Sequence, residues 1–153
     1  MKSINQFRGY YRFLSNFWPC DIDFAINKNK LITFPSVEHF YQAMKSKRTE
    51  DWIRICNLPK AGDAKREGQK IKLRDDWEEV KLEIMEIGLK IKFSHSNLKL
   101  LRMLLETGDL KIIEGNYWHD NFWGDCFCSK CENIKGKNNL GKLLMRIRDF
   151  WRE

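Results

Sequence analysis

DWEEVKLEIMEIGLKIKF, Asp76 to Phe93, repeats its apolar residues with the period of an α-helix. Trp77, Val80, Ile84, Ile87 and Ile91 form one stripe, and Leu82, Met85, Leu89 and Phe93 form a second. A helix apolar on two faces belongs at the centre of a core. Asp75, with Glu78 three residues on, resembles a capping box and predicts where this helix starts. Outward from it the pattern stays mostly helical. Thr49 to Asn57 and Ala61 to Gln69 read as helices, Ser96 is placed to cap Asn97 to Glu106, and Gly108 ends that element. Asn138 is placed to cap a last helix, whose buried stripe is Leu140, Leu143, Leu144, Ile147 and Trp151. Strand signals are fewer. Asp21–Ile26 and Leu31–Phe34 alternate around Asn27-Lys-Asn29, which predicts a hairpin, and Leu110 to Ile113 predicts a strand. Phe7 to Pro19 reads as an extended segment ending in a turn. The expectation is α+β, mostly α-helical, with a small N-terminal β element, in one domain over residues 1–153.

PSVEHFYQAMK, Pro35 to Lys45, opens the helical part. Ser36 after a proline is a start signal, and Val37, Phe40, Tyr41 and Met44 form the apolar stripe. Glu38, Gln42 and Lys45 share an adjoining face. That face is either an ordinary solvated one or a row of acid, amide and amine able to move protons, hold a polar ligand or supply a nucleophile.

The 153 residues carry a net charge of +7, which favours an anionic partner such as a phosphorylated metabolite, nucleotide or nucleic acid. No apolar run is long enough for a membrane span. The five cysteines, an odd number, and the lack of a secretory signal lead to an expected cytoplasmic location. There is no P-loop and no G-x-G-x-x-G. His39 and His95 stand alone and read as surface or capping residues. Gly115 to Gly136 lacks periodicity and reads as a long irregular loop. Its segment EGNYWHDNFWG, Glu114 to Gly124, sets Glu114, His119 and Asp120 beside Trp118 and Trp123. Either the loop is functional, or its tryptophans fold it onto the core and Asp120 caps a turn. Cys126, Cys128 and Cys131 follow. A second C-x(2–4)-C pair is missing, and His119 is remote in sequence as a fourth ligand, so reduced structural thiols are expected rather than a metal site.

Six segments in order resemble the NADAR family. They are FRGYYRFLSNF (Phe7 to Phe17), VEHFYQAMK (Val37 to Lys45), RDDW (Arg74 to Trp77), LLETGD (Leu104 to Asp109), EGNYWHDNFWG and GKNNLGKLLMRIR (Gly136 to Arg148). The resemblance implies a cofactor-free enzyme that cleaves N-glycosidic bonds of ribose conjugates. Its substrate would be a phosphoribosylated riboflavin-pathway intermediate, or ADP-ribosylated guanine in nucleic acid or as free base. By motif, Glu38, Lys45 and Asp120 would be catalytic, with Lys45 attacking the sugar. Trp118, Asn16, Gln42, Tyr41, Trp123, Gly124, Asn139 and Gly141 would bind substrate. The cysteines fall outside the implied catalytic motif, and Arg8, Arg12 or Arg146 is left to hold phosphate. No obligate protein partner is implied. The rival readings are a module that binds ADP-ribose or nucleotide without cleaving it, and a repair enzyme acting on nucleic acid.

Overall fold

The computed structural model describes residues 2–153, and the chain divides into two compact units. The first joins Met1–Ser15 to Lys99–Glu153, and the second is Asn16–Leu98. The architecture is α+β and mostly helical, as expected from the sequence.

In chain order β1 is Ser3–Ile4, β2 is Ile22–Asn27 and β3 is Lys30–Phe34. The second unit begins with an antiparallel hairpin of β2 and β3. Ile22 pairs with Phe34 and Phe24 with Ile32, and the register shifts between Ala25 and Asn27. The hairpin leads into α1 (Val37–Ala43), followed by α2 (Thr49–Cys56), α3 (Ala61–Gly68) and α4 (Trp77–Lys92). All seven residues of α1 are buried, because the helix packs against α2, α3 and α4 at once. Gly88 of α4 permits one of these contacts, since a Cβ there would press on the Phe40 ring.

α4 starts where its period places it, but Asp75 is not its cap. Asp76 holds the cap position without a side-chain capping bond, because its carboxylate is taken by Arg74 at 2.6 and 3.0 Å. The second expected stripe is also shorter than expected: Met85, Leu89 and Phe93 are buried, but Leu82 is exposed.

In the first unit, β1 pairs in parallel with β4 (Lys111–Ile112). Gly9–Leu14 is a 3-10 helix, not the extended segment expected. α5 (Leu98–Glu106) follows a 3-10 turn capped by Ser94, whose Oγ accepts the Ser96 N–H at 3.2 Å. The cap therefore lies two residues upstream of the expected Ser96. The irregular loop contains a parallel two-residue ladder of β5 (Gly115–Asn116) and β6 (Asp125–Cys126). α6 (Asn139–Arg152) closes the chain with Leu140, Leu143, Leu144 and Ile147 buried. Among the described residues, no helix is long and apolar enough to cross a membrane.

Candidate active site

Ser36 starts α1 as expected, its Oγ accepting the His39 N–H at 3.1 Å. Glu38 lies in the first turn, where the helix dipole favours a carboxylate. Its N–H donates to the Asn16 carbonyl at 3.0 Å. One turn on, Gln42 Nε2 donates to Glu38 Oε1 at 2.7 Å. The face that could have been solvated is inside the protein: Glu38 is 7% exposed and Gln42 4%. Burying a carboxylate is costly unless it is hydrogen-bonded, and the Gln42 amide supplies such a bond. Gly68 of α3 makes room for that amide, because a Cβ at this position would run into Gln42 Oε1.

Two buried acceptors in this unit, Asn16 Oδ1 and Gln42 Oε1, take no hydrogen bond from the protein among the described residues. The Asn16 amide nitrogen donates to Met85 Sδ at 3.4 Å. An unmet buried acceptor costs about 1–3 kcal/mol. Any hydroxyl or N–H donor that reaches the pair offsets that cost.

Lys45 sits in the turn that closes α1, half-buried, with its N–H on the Gln42 carbonyl at 3.3 Å. Burial holds its pKa below the ordinary 10.5. The Glu38 charge opposes that shift, and the Lys65 charge adds to it. Its Nζ is 5.8 Å from the centre of the Tyr41 ring. Tyr41 in turn leans on Trp77 at 5.2 Å between ring centres. Acid, amide, amine and aromatic wall thus come from one short helix and its closing turn.

His39 departs from expectation. It is buried, with Nε2 2.9 Å from the Leu58 carbonyl and Nδ1 2.7 Å from Ser36 Oγ. A carbonyl only accepts, so Nε2 carries the proton and Nδ1 accepts from the Ser36 hydroxyl. Desolvation pushes the pKa of this ring below the ordinary 6.5.

In the other unit, buried Asn116 organises the aromatic loop. Its Oδ1 accepts from Trp118 N at 3.3 Å and Asp120 N at 3.2 Å, and its Nδ2 donates to the Asp120 carbonyl at 2.8 Å. Asp120 Oδ1 accepts the N–H groups of Phe122 at 3.1 Å and Trp123 at 2.9 Å. Asp120 therefore caps a turn, the structural role foreseen as one of two readings. Trp118 is 58% exposed, available for stacking and unused by the core.

Asn139 donates its N–H to the Phe122 carbonyl at 3.2 Å, and Leu140 does the same to Trp123 at 3.0 Å. Asn138 sits at the N-cap in a left-handed conformation, φ 51°, but makes no capping bond. Its side chain reaches across, accepting from Glu114 N at 3.0 Å and donating to Ile112 O at 2.9 Å. Gly141 is needed beside it, because a Cβ would strike Ile112 O and the Asn138 side chain. Gly124 is similarly crowded by Glu114 and Asn116.

The expected site residues thus form two groups. Glu38, Gln42, Lys45, Tyr41 and Asn16 gather around α1. Trp118, Asp120, Trp123, Gly124, Asn139 and Gly141 gather around the loop and the start of α6. Asn116 and Asn138, which hold the second group, were not foreseen as site residues. An asparagine followed by aromatics or another asparagine is the only signal the sequence offers for them. Of the arginines raised for phosphate, Arg8, Arg12 and Arg146 all lie in the loop's unit.

The NADAR domain family matches residues 5–152, across both units. This chain belongs to the NADAR family. A NADAR relative from Shigella sonnei named N-glycosidase YbiA is 35% identical over 148 residues, 91% of this chain and 81% of that protein. A riboflavin biosynthesis protein of Vibrio vulnificus is 34% identical over 90% of this chain and 35% of its own length. Among solved structures, the NMR structure of the E. coli protein YbiA aligns with a TM-score of 0.78 at 31% identity, covering 99% of this chain and 86% of that one. The NADAR scaffold accounts for the fold, and the α1 constellation stands at a segment that carried the resemblance.

Proposed function

We propose that this chain is an N-glycosidase that hydrolyses the C1′–N bond of a phosphoribosyl or ADP-ribosyl conjugate. The observation that carries the reading is the juxtaposition, on α1 and its closing turn, of a buried, amide-oriented carboxylate and an amine whose pKa is held down. Relatives named N-glycosidase and riboflavin biosynthesis protein support the reaction class. The positive net charge suits a phosphorylated substrate.

In this mechanism neutral Lys45 attacks C1′ while Glu38 donates a proton to the departing base nitrogen. The Lys45 nitrogen then loses a proton. A proton delivered to the ring oxygen opens the sugar and leaves a protonated imine between Lys45 and C1′. Water adds to C1′ and loses a proton, the amine is expelled, and the aldehyde recloses to the free sugar. The net change is conjugate plus water giving base plus ribose derivative. The family motif implies for Asp120 the role of orienting water or stabilising positive charge, and for Trp118 that of stacking on the base. Residues 1–153 act as one domain in this reading, in the cytoplasm.

The deciding experiment incubates the purified full chain with a phosphoribosylaminopyrimidine and with an ADP-ribosylated guanine oligonucleotide. Mass spectrometry follows base release, and a borohydride-quenched aliquot is searched for a sugar adduct on Lys45. The expected result is release from one substrate, a trapped adduct, and a loss of roughly 100- to 10,000-fold in Glu38→Gln. Release without an adduct replaces the imine by direct water attack. Tight binding with unchanged ligand makes the chain a binding module instead.

A further inference from the structure

His119, Cys126, Cys128 and Cys131 converge on one point, with their ligand atoms all within 4.8 Å of one another. His119 Nδ1 lies 3.3 Å from Cys131 Sγ, 3.3 Å from Cys128 Sγ and 4.0 Å from Cys126 Sγ. The remoteness of His119 in sequence, which argued against a fourth ligand, is removed by the fold. The β5–β6 ladder sets Cys126 opposite Asn116. From there the Asn116 turn carries the chain around to His119, whose backbone is left-handed with φ 68°. A histidine tolerates that conformation but does not favour it. Here it aims the ring at all three sulfurs.

We propose that these four side chains form a structural zinc site. Tetrahedral zinc with Zn–S of about 2.3 Å and Zn–N of about 2.0–2.1 Å separates its ligand atoms by about 3.5–3.8 Å. The distances from His119 Nδ1 bracket that range. Three sulfurs and one imidazole are the donor set that borderline-soft, four-coordinate zinc takes, and oxygen-seeking cations do not. A disulfide uses two thiols and gives no reason for the third or for the imidazole.

The surroundings hold the ligands in place: Asn121 Oδ1 accepts the Cys126 N–H at 2.9 Å, which fixes the backbone that carries the first sulfur. Cys126 and Cys131 are buried, Cys128 is half-buried and His119 is exposed, which leaves a way in for the ion. On binding, the three thiols release their protons to solvent and neutral His119 gives its Nδ1 lone pair. Four ligands close the coordination sphere, so the ion has a structural role. It fixes the backbone between Trp118 and Asp120, the two neighbours of His119 in the chain.

The test measures metal in the full chain purified from zinc-supplemented cells, then replaces zinc by cobalt. The expected results are one zinc per chain and a cobalt form with intense tetrahedral d–d bands and thiolate-to-cobalt charge-transfer bands. In Cys128→Ser and His119→Ala the metal content falls at least tenfold. His119→Cys restores it with a shifted cobalt spectrum. Because the wild-type spectrum decides the donor set, a variant that fails to fold does not obscure the answer. A wild-type protein that binds neither metal with its thiols reduced overturns the site. So does a cobalt spectrum without thiolate bands, or a disulfide among these cysteines in freshly purified protein.

Discussion

Gln42 Nε2 grips Glu38 Oε1 at 2.7 Å inside a helix whose seven residues are all buried. The orientation of the carboxylate therefore depends on α3, because only a glycine at position 68 leaves room for the Gln42 amide. Gly68→Ala tests this dependence. The new methyl group displaces Gln42, and the expected outcome is a loss of stability of about 1–3 kcal/mol. Turnover should fall in parallel with Gln42→Ala. Chemical denaturation and steady-state kinetics check it; wild-type turnover in Gly68→Ala rules the dependence out.

Lys45 is pulled in two directions, down by burial and up by Glu38. Removing the carboxylate charge removes the upward pull. In Glu38→Gln the Lys45 titration midpoint, followed by NMR of the isotopically labelled side chain, should move lower than in the wild type. A midpoint that stays or rises shows that the two groups do not sense each other. Lys45→Arg, charged at every working pH, is expected to give no borohydride-trapped adduct.

His39 is held neutral by its burial, so its folded pKa lies below the ordinary 6.5. Below that value the unfolded chain binds a proton that the folded chain resists. The stability His39 contributes is thus complete above pH 6.5 and declines as the pH falls through the folded pKa. Urea unfolding at a series of pH values should show this acid limb, and His39→Gln should flatten it. Ser36→Ala, which removes both the helix cap and the ring's hydroxyl donor, should cost about 1–2 kcal/mol at neutral pH.

Lys92 is fully buried near Cys20, and desolvation brings its pKa down to about 8. The folded chain resists a proton that the unfolded chain takes up near the ordinary 10.5. The resulting destabilisation is complete below about 8 and disappears above 10.5. Lys92→Met, which keeps the length of the side chain, should therefore stabilise the protein most at neutral pH. Its advantage should shrink steadily as the pH rises. Paired unfolding curves at pH values on either side of that window check the sign.

Asn138 joins the start of α6 to Ile112 and Glu114 by two hydrogen bonds made inside the protein. Asn138→Ala leaves both backbone groups without that partner and is expected to cost about 2–4 kcal/mol. Asn138→Gly, which relieves the left-handed backbone but loses the same bonds, should recover only part of it. Equal stability of both variants and wild type removes the side chain from any structural role.

The helices were legible because periodicity needs no partner to be read: α4 and α6 follow their apolar stripes, and Ser36 caps as its position implies. The hairpin was legible because Asn27 to Asn29 breaks an alternating pattern. Burial of the α1 polar face was not, since one helix does not reveal how many neighbours cover it. His39 was misread for the same reason. The 3-10 helix at Gly9 is too short to show a period. The two-residue ladder of Gly115–Asn116 with Asp125–Cys126 is shorter still. The α1 residues of the candidate site came from spacing together with the family motif. Asn138 acts through bonds to backbone groups far away in sequence and Asn116 through bonds within its own turn, neither of which leaves a periodic pattern in the chain.

That small ladder has a consequence for how the loop can vary. By joining Gly115–Asn116 to Asp125–Cys126, it draws the two ends of the excursion from Tyr117 to Gly124 into a neck. Beyond a neck, the composition and length of a loop can change at little entropic cost, because its closure has already been fixed. Within the excursion, an exposed side chain such as Trp118 can thus be exchanged while the ladder and the turn bonds of Asn116 and Asp120 stay in place.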